Sequence, residues 1–199
     1  MVGEPLSLRA ARVSVVTANL TAGESPPLWR IALNFVVFQA GWFAAVVTAA
    51  KHEPWIGIGV VALIVAVHIA SATRPSREAA LVAITAVIGA TWDTLMVQTH
   101  WMTYAPGTVI ANTAPLWIVA LWALFATALN VSLNWLKNRD LLGFAVGAVA
   151  GPMSYYGGVK LGALAFDQPA KAVIALAIGW GIFVPVLMRL AKRFDGITK

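Results

Sequence analysis

Apolar residues run along this chain in long unbroken blocks, without the two-residue alternation a barrel strand would show. A bilayer core of ~30 Å is crossed by about 20 residues of helix. On that scale the blocks predict six spans: Trp29–Ala50, Pro54–Thr73, Glu78–Val97, Pro115–Trp135, Leu141–Phe166 and Pro169–Leu190. The fold expected is all-α, a polytopic membrane bundle of six transmembrane helices. Pro54 and Pro115 stand at or near first helical positions, where a missing N–H costs nothing. Asn112 or Thr113 is placed to cap the fourth helix. Around this transmembrane domain, residues 29–190, lie an N-terminal tail, 1–28, and a basic tail, 191–199. Val13–Leu20 is too short, and too broken by Ser14, Thr17 and Asn19, for a signal peptide. Ser7–Leu20 reads as disordered chain or as a short interfacial helix.

Composition sharpens this reading. Of 199 residues 60% are apolar and 11% charged, too few charges to wet the surface of a soluble enzyme. Cysteine is absent, which removes disulfides, thiolate metal sites and cysteine nucleophiles. The basic residues are unevenly placed. Eleven of the fourteen fall in the N-terminal segment, the second–third and fourth–fifth connections and the C-terminal end; Lys51 and Lys171 lie on the other side, and Lys160 lies inside a span. The positive-inside rule then puts both termini in the cytoplasm. The net charge of +6 is accounted for by this topology and by anionic inner-leaflet lipid, so no nucleic-acid partner is implied.

A 3+3 inverted repeat is one reading of the order. Pro27-Leu28-Trp29 recurs as Pro115-Leu116-Trp117, 88 residues on, and the same shift carries Trp92 onto Trp180. Apolar chains share letters cheaply, so chance similarity is the other reading. Glycines 143, 147 and 151 form a ladder that lets helices approach closely, within the chain or in a homodimer, and Gly158/Gly162 form a second pair.

Ionisable groups inside a membrane are costly and tend to face a cavity or a partner. Three lie within the spans: His68, Asp93 and Lys160. Asp93 and Lys160 fall at similar depth in the outer half, as a packing salt bridge or as a shared site with Tyr155. Gly151-Pro152 is expected to break the fifth helix there. Gln98, His100 and Tyr104 stand near the mouth, in a loop, 98–114, free of Lys, Arg, Asp and Glu. That loop is expected at the interface or folded over the mouth. Asp93 and His100 are the candidate acid and base if the chain is an enzyme. Asn34, Gln39, His68, Asn130 and Asn134 are expected to act as polar glue between helices. The histidines have no metal-ligand spacing, and no P-loop, dinucleotide or nucleophile-elbow motif is present, so no metal or cofactor is expected. Trp29, Trp55, Trp101, Trp117 and Trp135 fall near span ends, where interfacial belts form.

The set Asn34-Phe35-(x2)-Phe38-Gln39-(x2)-Trp42, Trp92-Asp93, Pro115-Leu116-Trp117, Trp122-(x2)-Phe125-Ala126-Thr127-(x1)-Leu129 and Gly151-Pro152-(x2)-Tyr155-(x2)-Gly158-(x2)-Leu161-Gly162 resembles an uncharacterised bacterial inner-membrane family, domain of unknown function twenty-eight seventy-eight. The resemblance implies a multi-pass protein of the bacterial inner membrane, with Asn34, Gln39, Asp93, Pro152 and Tyr155 on recurrent positions, and brings no activity. Three functions stay open: a pocket protein handling membrane lipid or another amphipathic molecule, a small proton-coupled transporter or channel, or a scaffold within a homo-oligomer or larger membrane complex.

Overall fold

A computed structural model describes residues 26–198; the expectation for Ser7–Leu20 lies outside them. Six helices follow one another: α1 (Leu28–Ala50), α2 (Pro54–Ala70), α3 (Pro75–Gln98), α4 (Leu116–Leu129), α5 (Asp140–Lys160) and α6 (Pro169–Arg193). Two short strands, β1 (Met102–Tyr104) and β2 (Leu164–Phe166), pair antiparallel with Thr103 opposite Ala165. They clasp the α3–α4 connection to the α5–α6 connection at one end of the bundle. The other end carries most of the basic residues.

Helices α1, α3 and α6 are long and apolar enough to cross a membrane, while α2 and α4 are apolar but shorter, at 17 and 14 residues. At 1.5 Å per residue, α4 reaches only about 21 Å. The expected span Pro115–Trp135 is therefore in two pieces, a helix to Leu129 and a 3-10 turn at Asn134–Leu136. The reason is competition from polar groups on other helices. Asn130 gives its side-chain amide to Glu78, and the Ser132 N–H goes to Asn34 Oδ1. Asn112 and Thr113 do not cap α4: Pro115 is the N-cap, Asn112 sits at φ 59°, and Thr113 Oγ1 donates to the Ile110 carbonyl.

Helix α5 runs unbroken through Pro152, correcting the expected break. Its packing on α6 outweighs the lost backbone donor, because a Cβ at Gly147 or Gly151 would strike Trp180. The glycine ladder thus serves contact within the chain. The fifth span also ends early, at Lys160 rather than Phe166. Gly162 turns the chain at φ 84° and sends it back as β2, so Gly158 and Gly162 do not share a helix face. Trp117 is buried rather than in a belt, whereas Trp29, Trp55 and Trp135 are exposed.

Polarity is distributed inside out. Glu78, Thr85, Asp93, Thr127 and Asn130 are buried, while Leu28 and Leu141 are 83% and 84% exposed and many other large apolar side chains cover the outside. In water such a surface would be an aggregation liability. The core is aromatic. Trp122 of α4 stacks on Trp180 of α6, 4.5 Å between centroids, with Phe125 and Phe183 edge-on around them. By contrast α1 and α5 barely touch. A cleft stays open between them, crossed by one hydrogen bond from Trp42 Nε1 to Ser154 Oγ at 3.1 Å.

At the basic end, residues after α6 fold back onto the bundle. Arg74 donates its N–H to the Gly196 carbonyl at 2.9 Å, Ile197 packs with Ala72 and Val131, and Lys137 pairs with Asp195 at 2.9 Å. Burial raises the Asp195 pKa, but bonds from Thr198, Lys137 and Ile197 outweigh it and hold the carboxyl below its ordinary value. The expected basic tail is thus docked as far as Thr198.

Candidate functional site

On α3 the buried positions Thr85, Gly89 and Asp93 recur every four residues, which turns Asp93 into the bundle. Three elements meet it there. Tyr104, brought over the helix end by the strand clasp, donates its hydroxyl to Oδ1 at 2.6 Å. Tyr155, next on the buried stripe Gly147, Gly151, Tyr155 of α5, donates to the same oxygen at 2.8 Å. Trp122 of α4 donates Nε1–H to Oδ2 at 2.6 Å. Burial first, then the nearby Asp93 charge, hold the Tyr104 phenol well above its ordinary pKa and keep it a donor.

The expected partner is elsewhere. Lys160 is exposed at the end of α5, with its ammonium 5.1 Å from the Tyr156 ring centroid. No Lys, Arg or His forms an ion pair with Asp93 among the described residues. Neutral donors surround this carboxylate, so its oxygens are satisfied without a counter-ion. Such an arrangement can staple α3, α4, α5 and the clasp together. It also leaves each tyrosine oxygen, whose proton is committed to Asp93, free to accept from a ligand.

The two tyrosines face different spaces. Tyr155 and Trp122 line a cavity of about 490 Å³ within the α1–α5 cleft. Its walls are mainly aromatic and aliphatic, including Phe38, Trp42, Phe125 and Trp180, with Gln39, Ser132 and Ser154 as scattered polar groups. The cavity runs from Leu164 at the clasp end to Leu136 near the basic end. Tyr104 instead lines a polar recess of about 540 Å³ at the clasp end, with Gln98, His100, Thr108 and Asn112. One carboxylate oxygen therefore holds a hydroxyl from the wall of each space.

His100, the candidate base, is not brought to Asp93. It is exposed, at φ 53°, and its carbonyl accepts a long bond from Gln168 Nε2. No group of three or more His, Asp or Glu residues gathers among the described residues.

The polar-glue residues divide. Asn34 donates to the Thr127 carbonyl at 3.1 Å and Gln39 lines the cavity, while His68 and Asn130 converge on a residue the sequence reading passed over, Glu78. Asn134 opens the 3-10 turn, half-buried. Glu78 is fully buried, accepting from Asn130 and the Gly196 N–H through Oε1 and meeting His68 Nε2 through Oε2 at 2.9 Å. Its place in the first turn of α3 looks in sequence like an ordinary solvated helix-start acid. The only hint is that it stands at the edge of an apolar block.

Replacing Glu78 with alanine is expected to free residues 194–198. Trypsin cleavage after Lys192 and Arg193 in the detergent-solubilised protein should quicken by at least about tenfold, as expected when a docked segment opens locally. Glu78→Gln keeps an acceptor for Asn130 and Gly196 and should stay close to wild type. Equal cleavage in all three proteins would show that Glu78 does not hold the segment.

Residues 31–186 match a family described as protein of unknown function (DUF2878). No curated protein and no solved structure matches the chain.

Proposed function

The chain belongs to that family, whose description names no activity, and from the site we propose that it is an integral membrane protein that binds a lipid or similar amphiphile in the cleft between α1 and α5. The observation that carries this reading is the cavity itself. Its 490 Å³ lies within the range of small-molecule sites, its walls are apolar with a few placed polar groups, and Phe35 and Met153 at its rim are exposed on the apolar outer surface. An acyl chain could enter sideways from a bilayer without crossing water. Asp93 would act through Tyr155, whose hydroxyl oxygen is the polar end of the cavity.

In the membrane the protein crosses six times, with the basic end and both termini in the cytoplasm and the clasp outside. The short α4 is completed by the 3-10 turn beneath it. Pro27 and Pro115, 88 residues apart, are both N-caps with nearly the same extended backbone, φ/ψ −63°/149° and −67°/150°, and this supports the 3+3 repeat. In a bacterium the membrane would be the inner one.

The test fills the cavity. Ala150 lines it from the exposed side of α5, so Ala150→Trp adds an indole to the cleft without displacing buried core. Lipid retained through purification, read by native mass spectrometry, should fall by about tenfold or more, an order set by loss of one well-filled apolar subsite. Retention equal to wild type, in a variant with unchanged melting temperature, would refute lipid binding in this cleft. A proton-coupled carrier is the second reading, favoured by the contact of Asp93 with hydroxyls from both cavities. It requires proton-driven uptake that is lost in Tyr104→Phe and in Tyr155→Phe.

A further inference from the structure

The polar recess at the clasp end has a chemistry of its own. Gln98, His100, Thr108 and Asn112 line it, and among the described residues none of these side chains hydrogen-bonds within the protein, although Thr103 and Thr113 nearby are committed to Asp167 and to the Ile110 carbonyl. Two amides, an imidazole and a hydroxyl therefore converge uncommitted on one space. Tyr104 adds an oxygen that gives its proton to Asp93 and can accept another. His100 and Asn112 both hold left-handed backbone conformations, φ 53° and 59°, in this loop.

Charge selects the ligand. No Lys, Arg, Asp or Glu lines the recess; Asp93 stands behind Tyr104 and Asp167 is bonded to Thr103. A phosphate group would find no arginine or lysine on the wall to grip it. A quaternary ammonium would find no carboxylate on the wall and one phenol ring, Tyr104, in place of an aromatic cage. Amide and hydroxyl side chains, each able both to donate and to accept, match a group that is itself dense in hydroxyls.

We propose that this recess binds a neutral, hydroxyl-rich moiety, a glycosyl or polyol group, carried either by the head of a membrane glycolipid, a source that depends on the lipid reading above, or by a free sugar. The recess and the cleft share no lining residue, and the buried Asp93 carboxylate separates Tyr104 on one wall from Tyr155 on the other.

The experiment compares three lipids with matched dioleoyl chains, glucosyl diacylglycerol, phosphatidylglycerol and phosphatidylcholine, added to the purified protein and read as adducts by native mass spectrometry. Methyl β-glucoside, which has no chain, is titrated in parallel. The glucosyl lipid is expected to be preferred over both phospholipids by about tenfold, and Gln98→Ala combined with Asn112→Ala to cut that preference to below about threefold, as loss of a few neutral hydrogen bonds implies. Both positions are exposed, so the double variant should keep the wild-type melting temperature. Equal retention of a phospholipid, or a preference untouched by the double variant, would overturn the head-group site. Ala150→Trp separates the two readings. If it weakens all three lipids alike while no head-group preference exists, the cleft reading stands and this one falls. If lipid retention ignores Ala150→Trp but methyl β-glucoside binds and is lost in the double variant, the recess is a site for free sugar. If lipid retention ignores Ala150→Trp, no head-group preference exists and methyl β-glucoside does not bind, both readings fall.

Discussion

Asp93→Ala is expected to lower the melting temperature of the detergent-solubilised protein by roughly 6–12 °C, read from tryptophan fluorescence. The substitution removes the acceptor for three buried donors, Tyr104 Oη, Tyr155 Oη and Trp122 Nε1. Each orphaned donor costs about 1 kcal/mol at the low end of the buried range, and ~3 kcal/mol shifts a chain of this size by about that many degrees. In membrane bundles single hydrogen bonds average only ~0.6 kcal/mol, because the unfolded chain finds other partners in the bilayer. Three donors from three elements lost at one point should exceed that average. Asp93→Asn separates geometry from charge. It keeps one carbonyl oxygen for the tyrosines but turns an N–H₂ toward the Trp122 N–H, so a loss about half as large is expected. A drop below about 2 °C for Asp93→Ala would mean that the carboxylate does not staple the bundle, and the site would then need another account.

The same contact shows where sequence reasoning reaches its limit. Long apolar blocks gave the helices because burial in a bilayer needs only length and hydropathy, both of which are local. Asp93 and Tyr155 stood out because ionisable and irregular positions inside such blocks are rare. Their meeting could not be read, since Tyr104 arrives through a strand pairing between loops 60 residues apart in sequence, and a three-residue strand has too little pattern to announce itself. Lys160 misled for a related reason. Similar depth along two helices says nothing of which way each side chain faces, and α5 turns its buried stripe, glycines and Tyr155, away from Lys160. Glu78 was hidden by resemblance to a solvated helix-start acid, although two of its three partners, Asn130 and Gly196, come from distant stretches of chain and the third, His68, from the preceding helix. The early end of α4 belongs with it. Asn130 leaves the helix to satisfy that buried acid, a tertiary demand that overrides an apolar run.

Gly89→Ala should be nearly as damaging as loss of the carboxylate, though it adds only one methyl group. A Cβ at position 89 would fall on the Trp122 indole itself, and the ring has little room to move. It is held by its bond to Asp93, by its stack on Trp180 at 4.5 Å, and by the Phe125 and Phe183 edges. Overpacking a filled core costs about 1–3 kcal/mol, and here the displaced ring would also leave Asp93 with an unfilled oxygen. A loss near the upper end of that range is expected, seen as a melting temperature roughly 5–10 °C below wild type. The coupling is the sharper measurement. Trp122→Ala removes the obstacle, so Gly89→Ala made in that background should cost almost nothing, and the double-mutant cycle should give an interaction of about 2.5 kcal/mol. Additive losses would mean that the α3–α4 seam yields elsewhere, and that the indole is not the wedge that sets the distance between those helices.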